Sequence, residues 1–101
     1  MATTNFSKHM TEDRIDRYVL IATKVGFGEV VHSATCCNQH GRGRMELTST
    51  GVVMVKGEDE TLITMYCATI QTVKRYFGLK TISRELYNII RTNEKRGYCN
   101  R

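Results

Sequence analysis

A chain of 101 residues, 41% of them apolar, is long enough for one domain with a modest core that needs neither disulfides nor a metal. Its net charge of +5 is concentrated in residues 61–101, where Lys74, Arg75, Lys80, Arg84, Arg91, Lys95, Arg96 and Arg101 outnumber Glu85 and Glu94. No charged-then-apolar leader is visible, the longest apolar run (Tyr18–Ala22) is far too short to cross a bilayer, and the Cys residues form no C-x-x-C pair, so the chain reads as a reduced, cytoplasmic protein without a membrane partner.

Ala2–Lys8 is a polar arm. From about His9 to Lys24, Ile15, Tyr18, Val19, Ala22 and Val25 recur at helical spacing. Ser7 or Thr11 is placed to cap this helix, Glu12 and Asp13 fall in its first turn, and Gly26 and Gly28 end it. Glu29–Cys36 reads as a first strand, with Val31 and Ser33 on one face and Val30 and His32 on the other. Cys37–Gly43 is a polar loop with two Gly. Arg44–Thr48, Val52–Lys56 and Thr61–Cys67 are rich in Val, Ile, Thr, Met and Tyr, and are separated by Ser49-Thr50-Gly51 and Gly57-Glu58-Asp59-Glu60. Connections this short allow only antiparallel pairing in a meander.

From Thr69 the period returns to helical. Ile70, Val73, Tyr76 and Phe77 mark a helix capped by Thr69 and stopped at Gly78. A second helix begins near Thr81, with Ile82, Leu86, Ile89 and Ile90 inward and Arg84, Arg91 and Lys95 outward. Gly97 and the tail Tyr98–Arg101 are expected to fray. The expected fold is α+β in a single domain, residues 1–101: an N-terminal helix, a four-stranded antiparallel meander sheet and two C-terminal helices, with the helices against one face.

Phe6-Ser7-Lys8-His9 with Arg14 and Arg17 opens the first helix, Glu29-Val30-Val31 follows its Gly-containing turn, and Thr48–Val55 precedes Leu62-Ile63-Thr64-Met65-Tyr66. Over residues 6–68 these phrases resemble small phage and mobile-element proteins of the RelE–barnase–EndoU (BECR) fold. The resemblance implies a metal-independent ribonuclease toxin, and it is what brings His9, Arg14, Arg17, Thr64 and Tyr66 together as a catalytic set. Such cleavage needs a base for the 2′-hydroxyl, an acid for the leaving oxygen and cations for the developing charge. The Cys-rich loop and the C-terminal helices lie outside the resemblance.

Three further constellations come from the residues alone. His32, Cys36, Cys37 and His40 are ligand types with one C-x-x-H bite, but adjacent Cys seldom serve one tetrahedral ion and no distant pair completes a site. No metal or other cofactor is therefore expected. Arg42 and Arg44, in Gly-Arg-Gly-Arg, combine a flexible backbone with guanidinium forks suited to phosphate. The outward Lys74, Arg75, Arg84, Arg91 and Lys95 of the helix pair suit RNA or an acidic surface, while an apolar excess on that pair would make a homodimer face.

Two functional classes survive. One is an RNA-binding protein, extending to the ribonuclease toxin. The other is a non-catalytic phage inhibitor of a host nucleoprotein defence complex, of the anti-CRISPR kind, working through its basic segments or through the acidic turn Glu58-Asp59-Glu60 as a nucleic-acid mimic.

Overall fold

The computed structural model describes residues 15–38 and 41–100. Helix α1 spans Ile15–Leu20 and runs into one π-helical turn, Ile21–Val25, closed by Gly26 N donating to Ile21 O at 2.7 Å. The start expected at His9 and the residues expected to cap it lie outside the described residues. The buried stripe is Tyr18, Ile21 and Val25, whereas Val19 is 51% exposed and Ala22 faces solvent. Two apolar stripes compete on this helix, and the one carrying an aromatic ring and Ile21 removes more apolar area from water.

Strands β1 (Val30–Asn38), β2 (Gly41–Thr48), β3 (Val52–Gly57) and β4 (Leu62–Cys67) pair antiparallel in the order β1-β2-β3-β4. The meander is as expected. The polar loop Cys37–Gly43 is not, because Cys37 pairs with Arg42 and Asn38 with Gly41, so the first hairpin reaches almost to its tip. Ladder pairing with a neighbour overrides the turn-forming composition of this stretch. A bulge between Val30 and His32 breaks the alternation expected for the start of β1.

The register assigns each strand residue to a face. Met45, Leu47, Val53, Val55 and Tyr66 share one face, and Val52, Met54, Met65 and Cys67 share the other. Helix α2 (Ile70–Tyr76) and helix α3 (Arg84–Lys95) cover the first through Val73, Leu86 and Ile90. Helix α1 covers the second through Tyr18 and Ile21. The helices therefore divide between two faces instead of sharing one. Edge strand β1 lies largely beyond this cover, with Val30 and Val31 exposed.

Thr69 caps α2 by accepting from Thr72 N at 3.1 Å. Helix α3 starts later than expected: Ser83, not Thr81, is its cap, and its Oγ accepts from Leu86 N at 3.1 Å. Thr81 closes the 3-10 turn Leu79–Thr81 instead, its hydroxyl donating to Gly78 O at 2.7 Å. The buried stripe of α3 is Leu86, Ile90 and Asn93, and Ile89 is 38% exposed where burial was expected. The tail does not fray within the described residues. Tyr98–Asn100 forms a 3-10 turn, and Tyr98 and Cys99 pack with the core beneath α1.

The β2–β3 turn ties these layers together. Ser49 N donates to Glu29 O at 2.8 Å, Thr50 Oγ1 to Gly26 O at 2.6 Å and Ala68 N to Gly51 O at 2.8 Å. Asn93 Nδ2 of α3 donates to Thr50 O at 3.0 Å. Inside the turn, Thr48 Oγ1 accepts from Val52 N at 3.1 Å.

Candidate nucleic-acid interface

A helix turns about 100° per residue, so Arg84, Asn88, Arg91 and Lys95 fall within an arc of about 60° on α3. That arc lies opposite the buried Leu86, Ile90 and Asn93, and all four residues are exposed. Burial of one stripe thus dictates where the cations stand. On α2, Lys74 and Arg75 occupy the last turn, where the helix dipole favours cations, and Lys80 follows in the 3-10 turn. These three are exposed as well.

Internal acids do little to neutralise this surface. Glu94 Oε1 is occupied as an acceptor for Ile70 N at 2.9 Å, which joins the last turn of α3 to the first of α2. Its Oε2 lies 4.0 Å from Arg91 Nε, the outer limit of an ion pair. Among the described residues, Lys74, Arg75, Lys80, Arg84, Lys95 and Arg96 take part in no ion pair. Arg75 stands over the Tyr76 ring at 5.6 Å, and Arg91 Nη1 donates to Tyr87 Oη at 3.3 Å.

The other basic candidates behave differently. Arg44 Nε donates to Glu46 Oε2 at 3.0 Å and Arg44 Nη2 to Glu60 Oε2 at 2.6 Å. Hydrogen bonding to Glu60 raises the Arg44 pKa and lowers that of Glu60. Glu46 is buried, and its Oε1 lies 3.0 Å from Lys56 Nζ, an ion pair whose angles fall short of a hydrogen bond. Arg44 is thus committed within the protein. Arg42 is exposed and, with Thr35, Arg44 and Glu58, borders a shallow hollow of about 250 Å³. The acidic turn is partly committed too, since Glu60 holds Arg44 and Asp59 accepts from Thr61 N at 3.1 Å, which lowers the Asp59 pKa.

Of the proposed ribonuclease set, His9 and Arg14 lie outside the described residues. Thr64 and Tyr66 do share a face, as their spacing requires, but it is the face beneath α2 and α3, where Tyr66 packs against the core. Arg17 belongs to α1 on the opposite side of the sheet, near enough to Cys67 to act on its thiol. The sheet therefore separates Arg17 from Thr64 and Tyr66. Of the ligand-type cluster, His32, Cys36 and Cys37 lie on β1 and His40 lies outside the described residues. Among the described residues, no group of three His, Cys, Asp or Glu side chains is placed to hold a metal.

His32 instead borders a groove of about 330 Å³ between β1 and α3, with Val31, Ser83, Leu86 and Ile89. Tyr76 was expected inward but is 43% exposed. The signal for this was present in Lys74-Arg75-Tyr76, an aromatic adjoining two cations, while the next residue, Phe77, supplies the core contact. No helix among the described residues is long and apolar enough to cross a membrane. No protein-family model, curated protein or solved structure matches this chain.

Proposed function

We propose that this protein binds nucleic acid, RNA foremost, through the exposed cations of its two C-terminal helices, either alone or within a nucleoprotein. The observation that carries the reading is the stripe Arg84, Arg91 and Lys95 with Lys74, Arg75 and Lys80. Five exposed cations lie on the two helices and a sixth, Lys80, in the turn between them, and among the described residues the only ion pair any of them makes is the 4.0 Å contact of Arg91 with Glu94. Side chains that serve stability alone gain little from such a grouping, because like charges repel across a helical turn. A polyanion relieves that repulsion and releases its own counterions on binding. Binding is favoured over cleavage, because the described members of the ribonuclease set lie on opposite sides of the sheet.

The test is fluorescence anisotropy with a labelled RNA of about twenty nucleotides across a salt series. Affinity is expected to fall linearly on a log–log plot, with a slope near −0.7 for each single-strand phosphate contacted. The triple variant Arg84→Ala, Arg91→Ala, Lys95→Ala replaces only exposed residues. It should bind about tenfold more weakly at low salt and with a shallower slope. Salt-insensitive binding, or no binding, removes the proposal. A pull-down from nuclease-treated bacterial lysate that recovers one protein stoichiometrically would assign the helices to a protein partner instead.

A further inference from the structure

Five tyrosines occur in the chain, and the core takes three: Tyr18 and Tyr98 pack beneath α1, and Tyr66 packs beneath α2 and α3. Tyr76, which is exposed, and Tyr87, which is partly buried, belong to neither core cluster. Each is instead engaged by an arginine of the basic surface, Tyr76 lying under the Arg75 guanidinium and Tyr87 bonded by Arg91.

Resting on the nucleic-acid reading above, we infer that the ligand is single-stranded, with unpaired bases stacking on Tyr76 and Tyr87 while Arg84, Arg91 and Lys95 hold its phosphates. Every base presents a π-face, so aromatic rings set among cations bind a single strand with little regard to sequence. A duplex buries those faces in its own stack and offers the rings nothing but its backbone. The Arg75 contact fits the same use, since a guanidinium over the Tyr76 ring places a cation beside an aromatic surface that is 43% exposed. A helix whose cations served only a duplex backbone would gain nothing from a half-exposed tyrosine, which costs solvation for no packing.

The experiment compares a labelled single-stranded 20-mer with a duplex of the same length, for the unaltered protein and for Tyr76→Ala, Tyr76→Phe and Tyr87→Ala. The single strand should bind about tenfold more tightly than the duplex. Each Ala substitution should weaken single-strand binding about fivefold or more, leave duplex binding in place, and leave the salt slope unchanged, since no phosphate contact is lost. Tyr76→Phe keeps the ring and should restore the affinity that Tyr76→Ala loses. With no Trp in the chain, tyrosine emission reports the stacking directly and should fall as the single strand is added. Equal binding of duplex and single strand, or Ala variants that bind the single strand as the parent does, overturns the inference while the electrostatic reading stands. Absence of binding to both ligands overturns that reading and this inference together.

Discussion

Cys67 at the end of β4 and Cys99 in the closing 3-10 turn share the core beneath α1, and Cys99 Sγ donates to Ala68 O at 3.3 Å. Burial raises both thiols above the ordinary value of 9.0, Cys99 to about 12. The folded protein therefore holds these protons at a pH where the unfolded chain has released them. For Cys99 that contribution to stability is complete below pH 9 and is lost as pH rises through the folded value near 12. Cys99→Ala should be less stable at neutral pH, through the lost packing and hydrogen bond. It should also lose stability less steeply between pH 9 and about 12, the window that those two pKa values define. Urea melts at several pH values check this, with Lys and Tyr titration common to both proteins. Parallel pH profiles would show that Cys99 does not carry the proton linkage. Both thiols should also react slowly with a disulfide reagent in the native state, because the thiolate is the reactive form.

At the scale of the element, β1 differs from the other strands. It is a nine-residue edge strand, Val30–Asn38, that contains no charged residue, and Val31 is 47% exposed beside the groove that Ile89 also lines. Edge strands of this kind pair readily with other chains unless a charge intervenes. Val31→Lys adds that charge at the bulge, where little packing is lost. The melting temperature should change by no more than a few degrees, and the concentration at which aggregation begins should rise. Light scattering on a concentration series measures it, and unchanged aggregation would mean that the edge is already blocked.

The strands and helices were legible because their apolar periods differ and because Gly, Ser and Asp mark the turns between them. What was not legible was the side of the sheet each helix takes. Periodicity shows which stripe of α1 is apolar but carries no information on which sheet face receives it. Cys37–Gly43 departs from expectation for a related reason, since its composition is that of a turn while its conformation is set by the opposite strand. The placement of the candidate residues was partly legible. Arg84, Arg91 and Lys95 follow from spacing alone, because the buried stripe leaves them one direction to face. The commitment of Arg44 to Glu46 and Glu60 depends on β2–β3 register and turn geometry, and the separation of Arg17 from Thr64 and Tyr66 depends on layer order. Neither quantity is local in sequence.

At the scale of the whole molecule, the turn between β2 and β3 is where the two cores are held in register with one another. Its backbone and hydroxyl groups reach the end of α1 at Gly26, the start of β1 at Glu29, the segment after β4 at Ala68 and the last turns of α3 at Asn93. Gly51 occupies this turn at φ +85°, and a Cβ there would stand 3.1 Å from Asn93 Nδ2 and 3.2 Å from Ile90 Cγ1. Gly51→Ala thus imposes two costs. The left-handed backbone costs roughly 1–2 kcal/mol for a side-chain-bearing residue, and the crowding pushes on the contact that seats α3. Gly97, at φ +78°, isolates the first cost, since nothing lies within 4 Å of its added Cβ. Gly97→Ala should therefore lower stability by about 1–2 kcal/mol and leave the core packing as it was. Gly51→Ala should lower it further, by about 2–4 kcal/mol in total, with a melting temperature lower by roughly 10–20 °C for a domain of this size. Because α3 carries Arg84, Arg91 and Lys95, the same substitution should weaken RNA binding at a temperature where the protein is still mostly folded, whereas Gly97→Ala should not. Equal losses for the two variants would mean that α3 is seated by its apolar stripe alone and that the turn is a connection, not the junction of the fold.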